Sequence, residues 1–137
     1  MSELTRFGVS LKKELLQKFD RHIKARGYPT RSKAVADLIR DSLVREQWLE
    51  GKEVAGAVTI VYNHHRRDLV NKLTAIQHEH HDLIISSQHI HLDKDNCLEI
   101  IIARGKSKEI EKLADRLKST KGVKYGAMTM ATTGEDV

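Results

Sequence analysis

The sequence predicts an α+β chain in two parts, a β-α-α unit over residues 1–50 and a β-α-β-β-α-β unit over residues 51–137. Three observations carry that prediction. A short alternating run, Arg6-Phe-Gly-Val-Ser-Leu11, precedes two apolar stripes at helical spacing. From Val54 onward, strand-like and helix-like patterns take turns. Seven of the eight histidines fall between positions 64 and 91, just ahead of the only cysteine, Cys97, so the second part also holds the donor types of a transition-metal site.

In the first part, residues 5–10 read as a strand with Phe7, Val9 and then Leu11 on one side and Arg6, Gly8 and Ser10 on the other. Leu15, Leu16, Phe19 and Ile23 then predict a helix over about Lys12 to Ala25, capped by Ser10 and ended by Gly27. Tyr28-Pro29-Thr30 breaks the chain. Thr30 caps a second helix whose stripe is Val35, Leu38, Ile39 and Leu43 and whose stop lies near Gly51. One lone strand and two helices bury too little to fold alone, which predicts a dimer in which the strand pairs with its copy.

In the second part, Val54–Asn63 is predicted as a strand and Arg67 to about His81 as a helix. Leu83–Leu92 and Cys97–Ala103 form a hairpin around the polar turn Asp93-Lys-Asp-Asn96. A helix from Lys106 to about Ser119, a strand from Val123 to Met130 and a loose tail complete the chain. This order corresponds to a ferredoxin-like sheet with helices on one face. Leu98, Ile100 and Ile102 are read as the apolar face of the return strand, which sets His89, His91, Cys97 and Glu99 together on the face away from the helices. That open face predicts a further subunit contact, and two dimerising parts in one chain predict a homotetramer.

Imidazoles and a thiolate suit zinc, copper or nickel, whereas calcium and magnesium want oxygens. Two ligands on one flat strand with a third opposite favour a planar set, which suits Ni(II) or Cu(II), and a thiolate tends to reduce Cu(II). Ni(II) is therefore the expected metal. A fourth donor comes from the run Gln77-His-Glu-His-His-Asp82, which offers His78, His80 and His81, and His64, His65, His80 and His81 are candidates for a secondary site.

The bulk numbers agree with a folded, basic protein. The 137 residues are 39% hydrophobic and 31% charged, with a net charge of +5. Residues 1–50 hold eleven Lys/Arg against seven Asp/Glu, so the excess is amino-terminal and points to a polyanion there. No apolar run approaches a membrane span of about 20 residues, and Met-Ser-Glu-Leu-Thr-Arg lacks a signal-peptide core, which predicts a cytoplasmic protein. A single cysteine makes no internal disulfide.

Arg6-Phe-Gly-Val-Ser-Leu11 and Arg26-Gly-Tyr-Pro-Thr-Arg-Ser32, with the stripe that follows, resemble the ribbon-helix-helix repressors. The resemblance implies that a two-stranded ribbon enters the major groove of double-stranded DNA, with Arg6 and Ser10 reading base edges. It also implies that Thr30, Arg31, Ser32 and Lys33, at the amide end of the second helix, hold phosphate. Gly8 offers no side chain for readout.

The two parts joined in this order resemble the nickel-responsive transcriptional regulator family from about Arg6 to Met130, with an ACT-like sensing domain. The most specific stretch is Tyr62-Asn-His-His-Arg-Arg-Asp68, then Gln77-His-Glu-His-His-Asp-Leu83 and His89-Ile-His-x5-Cys97-Leu-Glu99. By that resemblance His89, His91 and Cys97 of one subunit and His78 of a neighbour bind Ni(II) in a plane, and Glu99 orients a ligand imidazole. Arg66 and Arg67 would touch the DNA backbone of a palindromic operator, and the regulator would repress nickel uptake. Where the resemblance implies two carboxylates one turn apart that help to bind potassium, this chain has Lys33 and Asp37, so an ammonium takes the place of the cation. Sensing of cobalt, copper, zinc or a small molecule is the alternative. An enzyme would need an open coordination position that four good protein ligands do not leave.

Overall fold

The computed structural model describes residues 3–137. Its elements are α1 (Lys13–Ala25), α2 (Arg31–Leu49), β1 (Glu53–Asn63), α3 (Arg67–Glu79), β2 (Ile84–His91), β3 (Asn96–Lys106), α4 (Ser107–Ser119) and β4 (Val123–Met130). The chain parts into two compact units, Met1–Arg40 and Asp41–Val137.

In the first unit, residues 3–12 form no strand. A strand is defined by its ladder, and one chain supplies no partner for this segment. Phe7 and Val9 are 69% and 63% exposed. Ser10 does not cap α1. The helix begins after an extended Lys12, with no side-chain cap. Its far end matches expectation. Gly27 has φ +78°, a conformation that costs a side-chain-bearing residue 1 kcal/mol or more, roughly. Tyr28 N–H then closes back on the Ile23 carbonyl at 3.0 Å, satisfying a carbonyl the helix would otherwise leave open. Thr30 Oγ1 accepts the Lys33 amide at 3.1 Å, as the second cap predicts. Polar contacts tie α1 to α2. Arg31 grips Asp20 with two bonds of 2.8 and 2.7 Å, and Asp37 accepts from Lys33 Nζ at 2.6 Å and from Tyr28 Oη at 3.0 Å.

The second unit is a four-stranded antiparallel sheet in the order β2-β3-β1-β4. Every second residue of β1 from Val54 to Tyr62 is buried. That row packs with Leu69, Leu73 and Ile76 of α3 and Ile110, Leu113, Ala114 and Leu117 of α4 in one core. α2 contributes Trp48, 1% exposed, at its final turn. Gly51, at φ +75°, ends α2 by the same left-handed device as Gly27.

The face assignment of the hairpin is corrected. Cys97, Glu99, Ile101 and Ala103 are the buried row of β3 and face the helices, whereas Ile102 is 42% exposed. Both rows of Cys97-Leu-Glu-Ile-Ile-Ile-Ala103 are largely apolar, so alternation could not say which one meets the core. The helix-free face instead carries Val61, Leu98, Ile100 and Ile102, with Ile90 on β2 and Tyr125 on β4. The tail is not loose. Trp48 Nε1 donates to the Ala131 carbonyl at 2.9 Å, Gln47 Nε2 to the Glu135 carbonyl at 3.1 Å, and Thr132 Oγ1 to Gln47 Oε1 at 3.1 Å.

Candidate metal centre

The hairpin register sets the donors opposite one another: His89 pairs with Glu99 and His91 with Cys97. Tyr62, the last core residue of β1, lies directly across from Cys97 on the other side of β3. Five side chains of chemical interest thus share one end of the helix-covered face. His89 and His91 lie on the edge strand, where every residue after Ile84 is exposed, so this end opens to solvent.

Polar contacts knit the buried part. Tyr62 Oη donates to Glu99 Oε1 at 2.6 Å and lies 3.4 Å from His89 Nδ1, which is 3.8 Å from the same carboxylate oxygen. Gln77 Nε2 donates to the other oxygen, Oε2, at 2.8 Å. Burial pushes the Tyr62 hydroxyl far above its ordinary range, and the hydrogen bond to Glu99 raises it further, so its proton stays in place at any working pH. Burial also raises the Cys97 thiol, and the Glu99 charge adds to this, while the Tyr62 hydroxyl works the other way by hydrogen bonding to the sulfur. Neither Tyr62 nor Gln77 was singled out from the sequence. The only signal was a polar-tipped ring closing an otherwise apolar row and an amide one residue before His78.

The remaining histidines fall into two groups. His64 stacks on His91, with ring centroids 4.5 Å apart and an interplanar angle of 21°, and lies 4.1 Å from the His65 ring. Both His64 and His65 place Nε2 within hydrogen-bond reach of the Lys94 carbonyl, at 3.1 and 2.9 Å. His78 is exposed on the last turn of α3, and His81 Nδ1 lies 3.1 Å from its carbonyl. His80 meets Arg116, whose Nη1 also pairs with Glu79 at 2.6 Å.

The expected convergence of three donors is therefore only partly realised. Among the described residues, no three His, Cys, Asp or Glu side chains of one chain surround a common metal position. His89 turns toward Tyr62 and Glu99, His91 toward His64, and Cys97 into the core, each satisfied by a local partner. The predicted DNA-facing residues are likewise engaged within the chain: Arg31 by Asp20, Lys33 by Asp37, and Arg66 by Asp68 at 3.5 Å. Arg67 opens α3, and Arg6, Ser10 and Ser32 are exposed.

A ferredoxin-like sheet with two imidazoles on its edge strand and a buried thiol opposite one of them on the next strand holds the donor types that suit a soft or borderline divalent ion. The comparisons with known proteins narrow this to one metal. Residues 55–131 match the family described as the NikR C terminal nickel binding domain. A relative from Syntrophus aciditrophicus named for nickel-responsive regulation is 53% identical over 135 residues, covering 98% of each chain. Others so named, from Pyrococcus furiosus and Chlorobaculum tepidum, are each 54% identical, over 98% and 96% of this chain and 98% of their own lengths. The chain belongs to the nickel-responsive regulator family, and Ni(II) is its metal. An uncharacterized protein from Thermotoga maritima shares the fold, with a TM-score of 0.52 at 14% identity over 57% of this chain and 96% of its own. That family is a class of regulators and not of enzymes. No helix among the described residues is long and apolar enough to cross a membrane.

Proposed function

We propose that this chain is a cytoplasmic, nickel-dependent DNA-binding repressor of nickel-uptake genes. The observation that carries the reading is the hairpin register, which opposes His91 to Cys97 and His89 to Glu99 at an exposed sheet edge. His89, His91 and Cys97 supply three ligands to Ni(II), and His78 of a neighbouring subunit the fourth. The chemistry fits: one thiolate and three neutral imidazoles would suit Ni(II), and the bound ion would supply the Lewis acidity that favours loss of the thiol proton. Glu99, held by Tyr62 and Gln77, orients the His89 ring through Nδ1.

Residues 1–50 act as the ribbon-helix-helix part and residues 51–137 as the nickel-binding and tetramerising part. The exposed apolar row Phe7, Val9 and Leu11 supports dimerisation of the first, and the helix-free face with Leu98, Ile100 and Ile102 supports association of the second. Arg6 and Ser10 read bases, Thr30 to Lys33 hold phosphate, and Arg66 and Arg67 contact the backbone of a palindromic operator. Releasing Arg31 from Asp20 and Lys33 from Asp37 costs little, since both pairs are exposed and screened by solvent and phosphate replaces each carboxylate. The deciding experiment measures operator binding by the metal-free protein with each divalent ion added in turn. Nickel alone, or nickel far above the others, should confer tight binding; equal binding without metal would sink the reading.

A further inference from the structure

Gln77 is a polar side chain on the last turn of α3, between the core residue Ile76 and the exposed His78. Its amide donates to Glu99 Oε2 at 2.8 Å, and the carboxylate so held is only 6% exposed. The other oxygen of that carboxylate takes the Tyr62 proton at 2.6 Å and stands 3.8 Å from His89 Nδ1. One buried carboxylate therefore touches both the end of α3 and the donor hairpin. The backbone of Gln77 completes the junction, because its carbonyl accepts the His80 amide that closes the helix, at 3.2 Å.

We propose that Gln77 is a positioning residue that couples neighbouring nickel sites: through Glu99 it ties the last turn of α3, and with it His78, to the hairpin bearing His89, His91 and Cys97. This rests on the reading above, in which His78 completes a neighbouring subunit's site. In a two-fold pair, each hairpin then reaches, through its own Glu99 and Gln77, the imidazole that serves the other site. Fixing His89 in one site braces the Glu99–Gln77 contact already made and so restricts His78 for the second, which then meets less of that ordering cost. The consequence is positive cooperativity between paired sites, reciprocal by linkage.

The test compares full-length wild type with Gln77→Leu, which keeps much of the side-chain volume and removes the amide. In metal-free protein, hydrogen exchange at the amides of residues 78–80 should accelerate about tenfold in the variant, with the first turn of α3 unchanged. In nickel titrations read by thiolate absorption, wild type should fill its sites cooperatively, whereas the variant should fill the same number independently. Unchanged exchange, unchanged cooperativity in Gln77→Leu, or independent filling by wild type would overturn the coupling. If Gln77→Leu does not fold, Gln77→Asn retains an amide one methylene too short to reach and serves in its place. His78→Ala separates the two claims. If it keeps the full nickel complement and spectrum, the assignment of His78 as a ligand fails, whatever Gln77 does; if it loses them while Gln77→Leu stays cooperative, only the coupling fails.

Discussion

At the scale of single residues, the site places a thiol in the core beside a hydroxyl and a carboxylate. As the proposed nickel ligand, Cys97 would have to lose its proton, and burial holds its thiol above the ordinary range, so protons would compete strongly with the metal. Nickel affinity should fall about tenfold per pH unit for each proton displaced, and calorimetry at several pH values checks this. Cys97→Ala should abolish the thiolate-to-nickel absorption band; an unchanged spectrum would remove the cysteine from the site. Tyr62→Phe strips Glu99 Oε1 of its donor and the sulfur of the group that eases its ionisation. It should cost about 1 to 3 kcal/mol of stability through the unpaired buried acceptor. The pH at which half the nickel is bound should also rise, which a spectroscopic pH titration would show.

At the scale of elements, stability rests on different forces in the two units. In the first, Arg31–Asp20 links α2 to α1, while Asp37 ties the connecting Tyr28 and the neighbouring Lys33 to α2. The hydrogen bond from Arg31 holds Asp20 below the usual carboxylate range, and that from Lys33 does the same for Asp37. Carboxyls depressed in the folded state contribute stability above their unfolded values and lose it as pH falls through the folded ones. The helix pair should therefore loosen below the ordinary aspartate range, with Asp20→Asn removing part of that acid sensitivity. In the second unit the ring of Trp48 fills the core at the end of α2 and its N–H holds the tail at Ala131. Trp48→Ala should destabilise this unit by about 3 to 5 kcal/mol, measured by denaturant unfolding.

At the scale of the whole molecule, the proposed assembly rests on faces that one chain leaves bare. Ile102 stands at 42% exposure on the helix-free side of the sheet, beside the partly buried Leu98 and Ile100. Ile100→Glu puts a charge at the centre of that face. It should leave the subunit folded and reduce the assembly to dimers in sedimentation velocity; a tetramer that survives would place the contact elsewhere. In the proposed tetramer, two ribbon pairs would demand operator half-sites on one face of the duplex. Inserting half a helical turn between them should cost most of the nickel-dependent affinity. With Lys33 bonded to Asp37 at 2.6 Å, that affinity should not change when potassium is exchanged for sodium at constant ionic strength.

Features that depend on local spacing are legible in the chain before it folds. Period-3.6 stripes, glycines at Gly27 and Gly51, the Thr30 cap and the hairpin turn placed all four helices and the four strands of the sheet, because these signals act within a few residues. Alternation put His89, His91, Cys97 and Glu99 on one face, but the pairing of His89 with Glu99 and His91 with Cys97 came only from the structure, where the turn takes in Leu92. Only the tertiary structure decided which face of β3 is buried. Both rows of that strand are apolar, and the choice depends on where α3 and α4 land, which no period in the chain encodes. The Tyr62–Glu99–Gln77 network was hidden for a related reason: its members come from β1, β3 and α3, brought within hydrogen-bond reach only when the sheet and the helix close over one core.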